Sequence, residues 1–262
     1  MKADYKNWMP KGMVFSFLGG AAAALALCLL AGLGPWPAQG LLKTGLTGML
    51  GILTAVLCGL TVWGILMYRA FDYRGKRQMS RQIIEGTASR VKLPAGGICL
   101  DVGCGSGALA IAVAKRNPKG RVVGIDRWGK EYASFSQALC EKNARAEGAA
   151  NTEFRKGDAT HLEFPDESFD AVVSNYVYHN IPGDRQRYLL ETLRTLKKGG
   201  TFAIHDIFSK AKYGDMQAFQ QQLQDMGYRK VDLIDTTDGR FMTKFESRWM
   251  ALSGSALLTG IK

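Results

Sequence analysis

Residues Ile98–Ala108 read ICLDVGCGSGA, and the rest of the chain is organised around them. Ile98, Leu100 and Val102 read as the end of a buried strand. Gly103, Gly105 and Gly107 predict a turn too tight for residues that carry a Cβ. The run LAIAVAKR that follows reads as a helix. A strand, a glycine turn and a helix N-terminus together make a place for a polar or anionic ligand, because backbone N–H groups and the helix dipole face it.

Downstream, strands and helices alternate. Arg121–Trp128 predicts a second strand ending in Asp126, and a helix is expected over 130–147. Thr152–Phe154 begins a third strand that leads into Gly157, Asp158 and Ala159. Phe169–Val173 gives a fourth, running out into Ser174-Asn175-Tyr176-Val177-Tyr178-His179-Asn180. An amphipathic helix over Asp184–Leu196 ends, by its basic residues and glycines, at Lys197–Gly200. Thr201–Ile204 is read as the fifth strand, with His205 and Asp206 at its tip. Met216–Met226 predicts a helix, and Val231–Asp235 and Ser253–Ile261 two last strands. Such alternation builds an open α/β sheet, whose ligands lie beyond the carboxyl ends of the strands.

With these elements in place, Asp101-x-Gly103-x-Gly105-x-Gly107 resembles the first motif of class I S-adenosylmethionine-dependent methyltransferases, and LKKGGTFAIHD resembles a later segment of the same family. The resemblance covers about residues 80–262 and is weakest from Tyr213 to Met250. It implies a Rossmann-like, seven-stranded, mostly parallel sheet with a terminal antiparallel hairpin, and S-adenosylmethionine as cofactor. By the same resemblance, Asp101, Gly103, Cys104 and Gly105 lie under the methionine moiety, Asp126 with Arg127 holds the ribose, and Asp158 with Ala159 contacts adenine. Asn175 closes the site at the end of the fourth strand. Gly103, Gly105 and Ala108 also satisfy the dinucleotide pattern G-x-G-x-x-G/A, so a nicotinamide-dependent oxidoreductase is the competing class. The acid two residues before the first glycine, followed in order by Asp126 and Asp158, favours the methyltransferase.

Candidate catalytic residues are His179, His205, Asp206 and Tyr176, all at the tips of the fourth and fifth strands. A general base is needed when the methyl acceptor is a hydroxyl or a protonated amine, and less so for a thiolate. The five cysteines and three histidines form no C-x-x-C and no cluster of metal-ligand spacing, so no metal is expected.

The formal charge of +11 is unevenly placed: residues 69–92 carry +5, while 93–262 carry only +3. This modest charge on the α/β domain, and the lack of an (Asn/Asp)-Pro-Pro-(Tyr/Phe) segment, argue against a nucleic-acid substrate. The basic collar instead adjoins apolar sequence, which suits an anionic lipid surface. Met13–Gly34 and Thr44–Tyr68 are uncharged runs of 22 and 25 residues, separated by a break at Pro35-Trp36-Pro37. Each is long enough to span a bilayer, so a transmembrane helical hairpin is expected; a leader cleaved near Ala38 is the alternative for the first run. Lys2, Lys6 and Lys11 precede the first span, and Arg69, Arg74, Lys76 and Arg77 follow the second. The positive-inside rule then puts both termini and the α/β domain on the cytoplasmic face of the cell membrane. Glycines and alanines (Gly19, Gly20, Ala23, Ala24; Gly45, Gly48, Gly51) offer close helix packing.

The domains expected are 1–70, the hairpin; 71–92, a basic linker and covering helix; and 93–262, the methyltransferase domain. The expected function is methyl transfer at the membrane face to a small-molecule or lipidic acceptor. Methylation of a protein or a hydrophobic thiol or phenol, and a non-catalytic tethered cofactor-binding module, are the alternatives.

Overall fold

A computed structural model describes residues 2–34, 40–129 and 134–262. The break at Pro35, the cleavage position at Ala38 and the start of the helix expected from Lys130 lie outside the described residues. The chain divides into two compact units: Asn7–Ser80, and a second made of residues 2–6 with Arg81–Lys262.

The larger unit is built on one seven-stranded sheet of order β3-β2-β1-β4-β5-β7-β6. Its strands are β1 (Ile98–Val102), β2 (Arg121–Asp126), β3 (Thr152–Lys156), β4 (Phe169–Asn175), β5 (Leu196–Ile207), β6 (Arg229–Asp235) and β7 (Ser255–Ile261). The first five are parallel to one another, while β7 runs antiparallel to both β5 and β6. This is a Rossmann-like topology, with the expected antiparallel ending. Strands covered on both faces read as unbroken apolar runs, and Leu100, Val102, Val123, Ile125, Val172, Phe202 and Ile204 form the core. The chain order reverses between β1 and β4, the switch point at which open sheets take their ligands.

Helix α4 (Ala108–Arg116) is buried from Ala108 to Ala114, which is why its sequence has almost no polar face. Asn117 ends it: its amide donates to the Val113 carbonyl (2.8 Å) and its Oδ1 accepts from Leu93 N (2.8 Å), and Pro118 cannot continue a helix. Helix α5 (Gln137–Glu147) starts on a Ser136 cap, later than the sequence suggests. Helix α6 (Arg185–Arg194) is capped by Asp184, and α7 (Lys210–Tyr213), α8 (Met216–Asp225) and α9 (Lys244–Trp249) complete the unit.

One boundary differs in kind. Lys197–Gly200 is not a helix cap but part of β5, with a register shift between Phe169 and Ala171 on the partner strand. Gly199 N donates to the Lys262 carbonyl (2.7 Å) and Lys262 N to the Gly200 carbonyl (2.9 Å), so pairing with the far end of the chain claims these glycines. A local pattern of basic residues and glycine carries no information about that partner.

The smaller unit holds α1 (Lys11–Leu33) and α2 (Leu41–Phe71), of 23 and 31 residues. At the α-helical rise they measure about 34 and 46 Å, enough to cross a hydrocarbon core of ~30 Å. They pair antiparallel, and a Cβ added at Gly20, Gly32 or Gly64 would meet Leu57, Thr47 or Val14 of the other helix within 3.4 Å. Gly20 and Ala24 thus serve the close approach, whereas Gly19, Gly45 and Gly48 face open space. Helix α3 (Met79–Ala88) follows, with Met79, Ile83, Ile84, Thr87 and Ala88 buried.

Candidate active site

The glycine turn is held from below and from the side. Gly103 N and Cys104 N both donate to the Ile125 carbonyl (2.8 and 2.9 Å), which ties the end of β1 to β2. Gly103, Gly105 and Gly107 have φ of +73°, +55° and +82°, in the left-handed region that glycine enters without strain. A Cβ on Gly103 would sit 2.3 Å from Val177 Cγ2, so this glycine lets the segment after β4 close onto the turn. At Gly105 a Cβ would meet nothing nearer than Phe135 at 3.7 Å, which leaves that side of the turn as a cradle.

Asp126 stands at the end of β2 as expected. Its Oδ2 accepts from Gly105 N (2.8 Å) and its Oδ1 from Trp128 N (2.7 Å). Each carboxylate oxygen has a second lone pair, so these bonds orient the group without exhausting it. Trp128, which sequence reasoning missed, donates its indole N–H to the Gly105 carbonyl (3.0 Å) and covers the turn. The available signal was an aromatic side chain two residues after a strand-end acid.

Asp101 is buried, and its Oδ2 has no hydrogen-bond partner. Burial pushes its carboxyl up to about 8; the Ala110 N–H opposes this and the Asp126 charge adds to it. An orphaned buried carboxyl beside a glycine cradle fits a ligand that carries positive charge, as S-adenosylmethionine does in its sulfonium and ammonium groups. The sign of the linkage follows. Because the folded value lies above the ordinary one, this carboxyl's contribution to stability is complete below about pH 4 and is lost as pH rises toward 8. Cofactor binding at pH 7 is therefore expected to release a fraction of a proton. Calorimetry in two buffers of different ionisation enthalpy measures this, and equal heats would contradict it.

Asp158 is exposed, and its Oδ1 accepts from Thr160 N (2.8 Å) and Thr160 Oγ1 (2.7 Å). The Thr160 N–H, more than its hydroxyl, holds the carboxyl below the usual range despite some desolvation. Ala159 is half-buried beside it, and Arg127 is exposed one residue beyond Asp126. The three acids therefore lie at the carboxyl ends of β1, β2 and β3 or just past them.

The second cluster lies past β4 and β5. Asp206 is fully buried and accepts from Tyr178 N (2.9 Å), His179 N (3.3 Å) and Ile207 N (2.7 Å). It also meets His179 Nδ1 at 2.5 Å. A neutral imidazole held this way donates from Nδ1 and keeps a lone pair on Nε2. Tyr176 has φ +55°, unusual for a residue with a Cβ. Its N–H donates to the His205 carbonyl (2.8 Å) and its hydroxyl pairs with Ser255 Oγ (2.8 Å). Its ring meets His179 and His205 edge-on, at centroid distances of 5.7 and 4.7 Å.

His205 differs from the others. It is fully buried, with Nδ1 3.0 Å from Asn175 Oδ1 and Nε2 3.0 Å from Thr236 Oγ1. Desolvation pushes its pKa down to about 3, against the pull of Asp206. A neutral imidazole with both nitrogens engaged offers no proton acceptor to a substrate, so its part is to hold Asn175 and Tyr176. Cys104 is buried under the turn, and burial pushes its thiol well up, which removes it as a nucleophile. Among the described residues no group of three or more His, Cys, Asp or Glu is placed to hold a metal ion.

The strand order, the glycine turn and an acid at or just past the carboxyl end of each of the first three strands are those of a class I S-adenosylmethionine-dependent methyltransferase domain, with S-adenosylmethionine as its cofactor. Residues 100–204 match the sequence profile of a methyltransferase domain. A demethylmenaquinone methyltransferase of Lactobacillus johnsonii is 36% identical over 120 residues, 44% of this chain and 46% of that protein. An arsenite methyltransferase of Halobacterium salinarum is 34% identical over 117 residues, 44% of this chain and 28% of that protein. The chain thus spans less than half the length of either. A geranyl diphosphate methyltransferase solved in complex with GPP and sinefungin shares the fold, with a TM-score of 0.55, 14% identity and coverage of 74% of this chain and 82% of that one.

Proposed function

We propose that the protein is a membrane-anchored methyltransferase that transfers the methyl group of S-adenosylmethionine to a small lipophilic acceptor through a hydroxyl, at the cytoplasmic membrane face. The His179–Asp206 pair carries this reading. S-adenosylmethionine supplies an already activated methyl group, so the protein need only align the acceptor, exclude water and remove a proton. Asp101, Gly103, Cys104 and Gly105 would hold the methionine moiety, Asp126 and Arg127 the ribose, Asp158 and Ala159 the adenine. Asn175 would border the pocket. His179 Nε2 takes the acceptor's proton, while Asp206 orients the ring and stabilises the imidazolium that forms. Tyr176 provides an aromatic wall. A thiolate would not need this base, and a soft acceptor such as arsenite would call for thiols at the site, whereas Cys104 and Cys140 are both buried.

The apolar hairpin supports the location. Its outward side chains are open, Leu33 at 83% and Leu41 at 95% exposure, and a bilayer would cover them. The backbone of Asp4, ahead of α1, pairs with Asn143 in the domain after α2, which supports a hairpin with both flanks on one side. Lys2→Cys and Lys262→Cys are therefore expected to react with an impermeant maleimide from the same face of sealed vesicles. Labelling from opposite faces would contradict that arrangement.

Incubation of the full chain in lipid nanodiscs with methyl-tritiated S-adenosylmethionine and a membrane lipid extract tests the activity. Label is expected in the organic phase and, with Asp206→Asn, to fall at least about a hundredfold, since the base loses its orienting partner. Label confined to protein, or none, would overturn the reading.

A further inference from the structure

Residues ahead of the first apolar helix are built into the domain that holds the cofactor turn. Ala3 and Tyr5 are buried, at 6% and 7% exposure, although more than 70 residues and both long helices separate them from that domain in sequence. Their anchor is Asn143 on α5, itself fully buried. Its Oδ1 accepts from Asp4 N (2.7 Å), and its Nδ2 donates to the Asp4 carbonyl (2.9 Å) and to the Ser106 carbonyl (2.9 Å). Ser106 lies between Gly105 and Gly107, in the middle of the glycine turn.

This is a complete account for one side-chain amide: two donors and one acceptor, all used. Ser106 precedes the N-cap Gly107, so its carbonyl lies outside the α4 ladder, whose first bond runs from Ile111 N to the Gly107 carbonyl (2.9 Å). Asn143 takes over that carbonyl. Two of its three hydrogen bonds, however, come from Asp4. Without Asp4 the amide would leave an N–H and its carbonyl oxygen buried and unpaired, a state that favours rotation away from the turn.

We propose that residues 3–5 form a strap that positions the cofactor turn through Asn143, so that the segment entering the membrane hairpin helps to set affinity for S-adenosylmethionine. Asp4 and Asn143 are positioning residues that act on the cofactor through the Ser106 carbonyl. The inference rests on the assignment of the glycine turn to the cofactor. The strap would make cofactor affinity depend on how the first helix is seated, because pulling residues 3–5 away releases the turn.

The backbone role of Asp4 allows a discriminating test. Asp4→Pro deletes the donated N–H, while Asp4→Ala keeps it and removes only the side chain. Asn143→Asp keeps the acceptor and deletes both donors. Binding of S-adenosylhomocysteine to the detergent-solubilised full chain would be measured by calorimetry, with amide exchange followed across residues 103–107. Asp4→Pro and Asn143→Asp are expected to weaken binding about tenfold and to speed exchange in the turn, with Asp4→Ala within twofold of the unmodified chain. If Asp4→Pro does not fold, Asn143→Asp and Asp4→Ala carry the comparison. Unchanged affinity in Asn143→Asp or Asp4→Pro, with the unmodified chain binding normally, overturns the strap alone. An unmodified chain that binds no S-adenosylhomocysteine overturns the cofactor assignment together with it.

Discussion

Replacing His179 by alanine is expected to lower turnover by about 10²–10⁴-fold, the usual worth of a positioned general base, while affinity for S-adenosylhomocysteine stays within a factor of two or so. The split follows from where the residue is held. His179 belongs to the turn after β4, whose N–H groups and ring are gathered by Asp206. The glycine turn is held separately by Ile125, Asp126 and Asn143. Removing the imidazole leaves those bonds intact. His179→Gln tests the same point with a side chain that can hydrogen-bond but cannot act as a base at neutral pH, and it should be nearly as slow. Normal turnover in either variant would remove His179 from the chemistry. Equal losses in turnover and cofactor affinity would make its role structural.

The second large effect is expected at Gly103. Alanine there meets two penalties. The φ of +73° costs an L-residue roughly 1–2 kcal/mol, and the new Cβ would lie 2.3 Å from Val177 Cγ2 and 3.1 Å from Val177 Cβ. Overpacking of that kind adds about 1–3 kcal/mol, so Gly103→Ala should destabilise the domain by about 2–5 kcal/mol in all. Because Val177 lies between Tyr176 and Tyr178, its displacement also disturbs the approach to His179. Gly96→Ala is the matched control: Gly96 has φ +77° but nothing within 4 Å of its Cβ position, so only backbone strain applies. Denaturant midpoints and S-adenosylhomocysteine affinities of the pair separate the contact from the strain. Equal behaviour of the two variants would show that the close approach of Val177 is unimportant.

The sequence carries the cofactor half of the site more clearly than the acceptor half, for a physical reason. The glycine turn, Asp126 and Asp158 act through short-range geometry: a strand end, a tight turn, a carboxylate within a few residues. Such features leave a local mark. The pairing of His179 with Asp206 depends on β4 lying next to β5, with Asn175 opposite His205, a fact of register that no local pattern states. Sequence placed His179, His205 and Asp206 at one end of the sheet but had no means of ranking them. Register separates the two histidines, since His205 lies within β5 and is fully buried, whereas His179 sits in a short 3-10 turn after β4. Asn143 was invisible for the same reason: its partners, Asp4 and Ser106, are 139 and 37 residues away. The bounds of β5 misled because Lys197–Gly200 has the composition of a helix end, and only pairing with the last strand overrides it.

Fold alone does not settle chemistry, because one scaffold can host different reactions. The central claim is that the glycine turn and its three acids take S-adenosylmethionine and not a dinucleotide. A thermal-shift comparison on the detergent-solubilised full chain tests it most directly, with S-adenosylhomocysteine, NAD and NADP each supplied in excess. A ligand that binds only the native state at about 100 times its dissociation constant stabilises it by about 2.7 kcal/mol. The account predicts a clear upward shift with S-adenosylhomocysteine, abolished or strongly reduced in Asp126→Ala, and none with either dinucleotide. A shift with NAD or NADP and none with S-adenosylhomocysteine would contradict it.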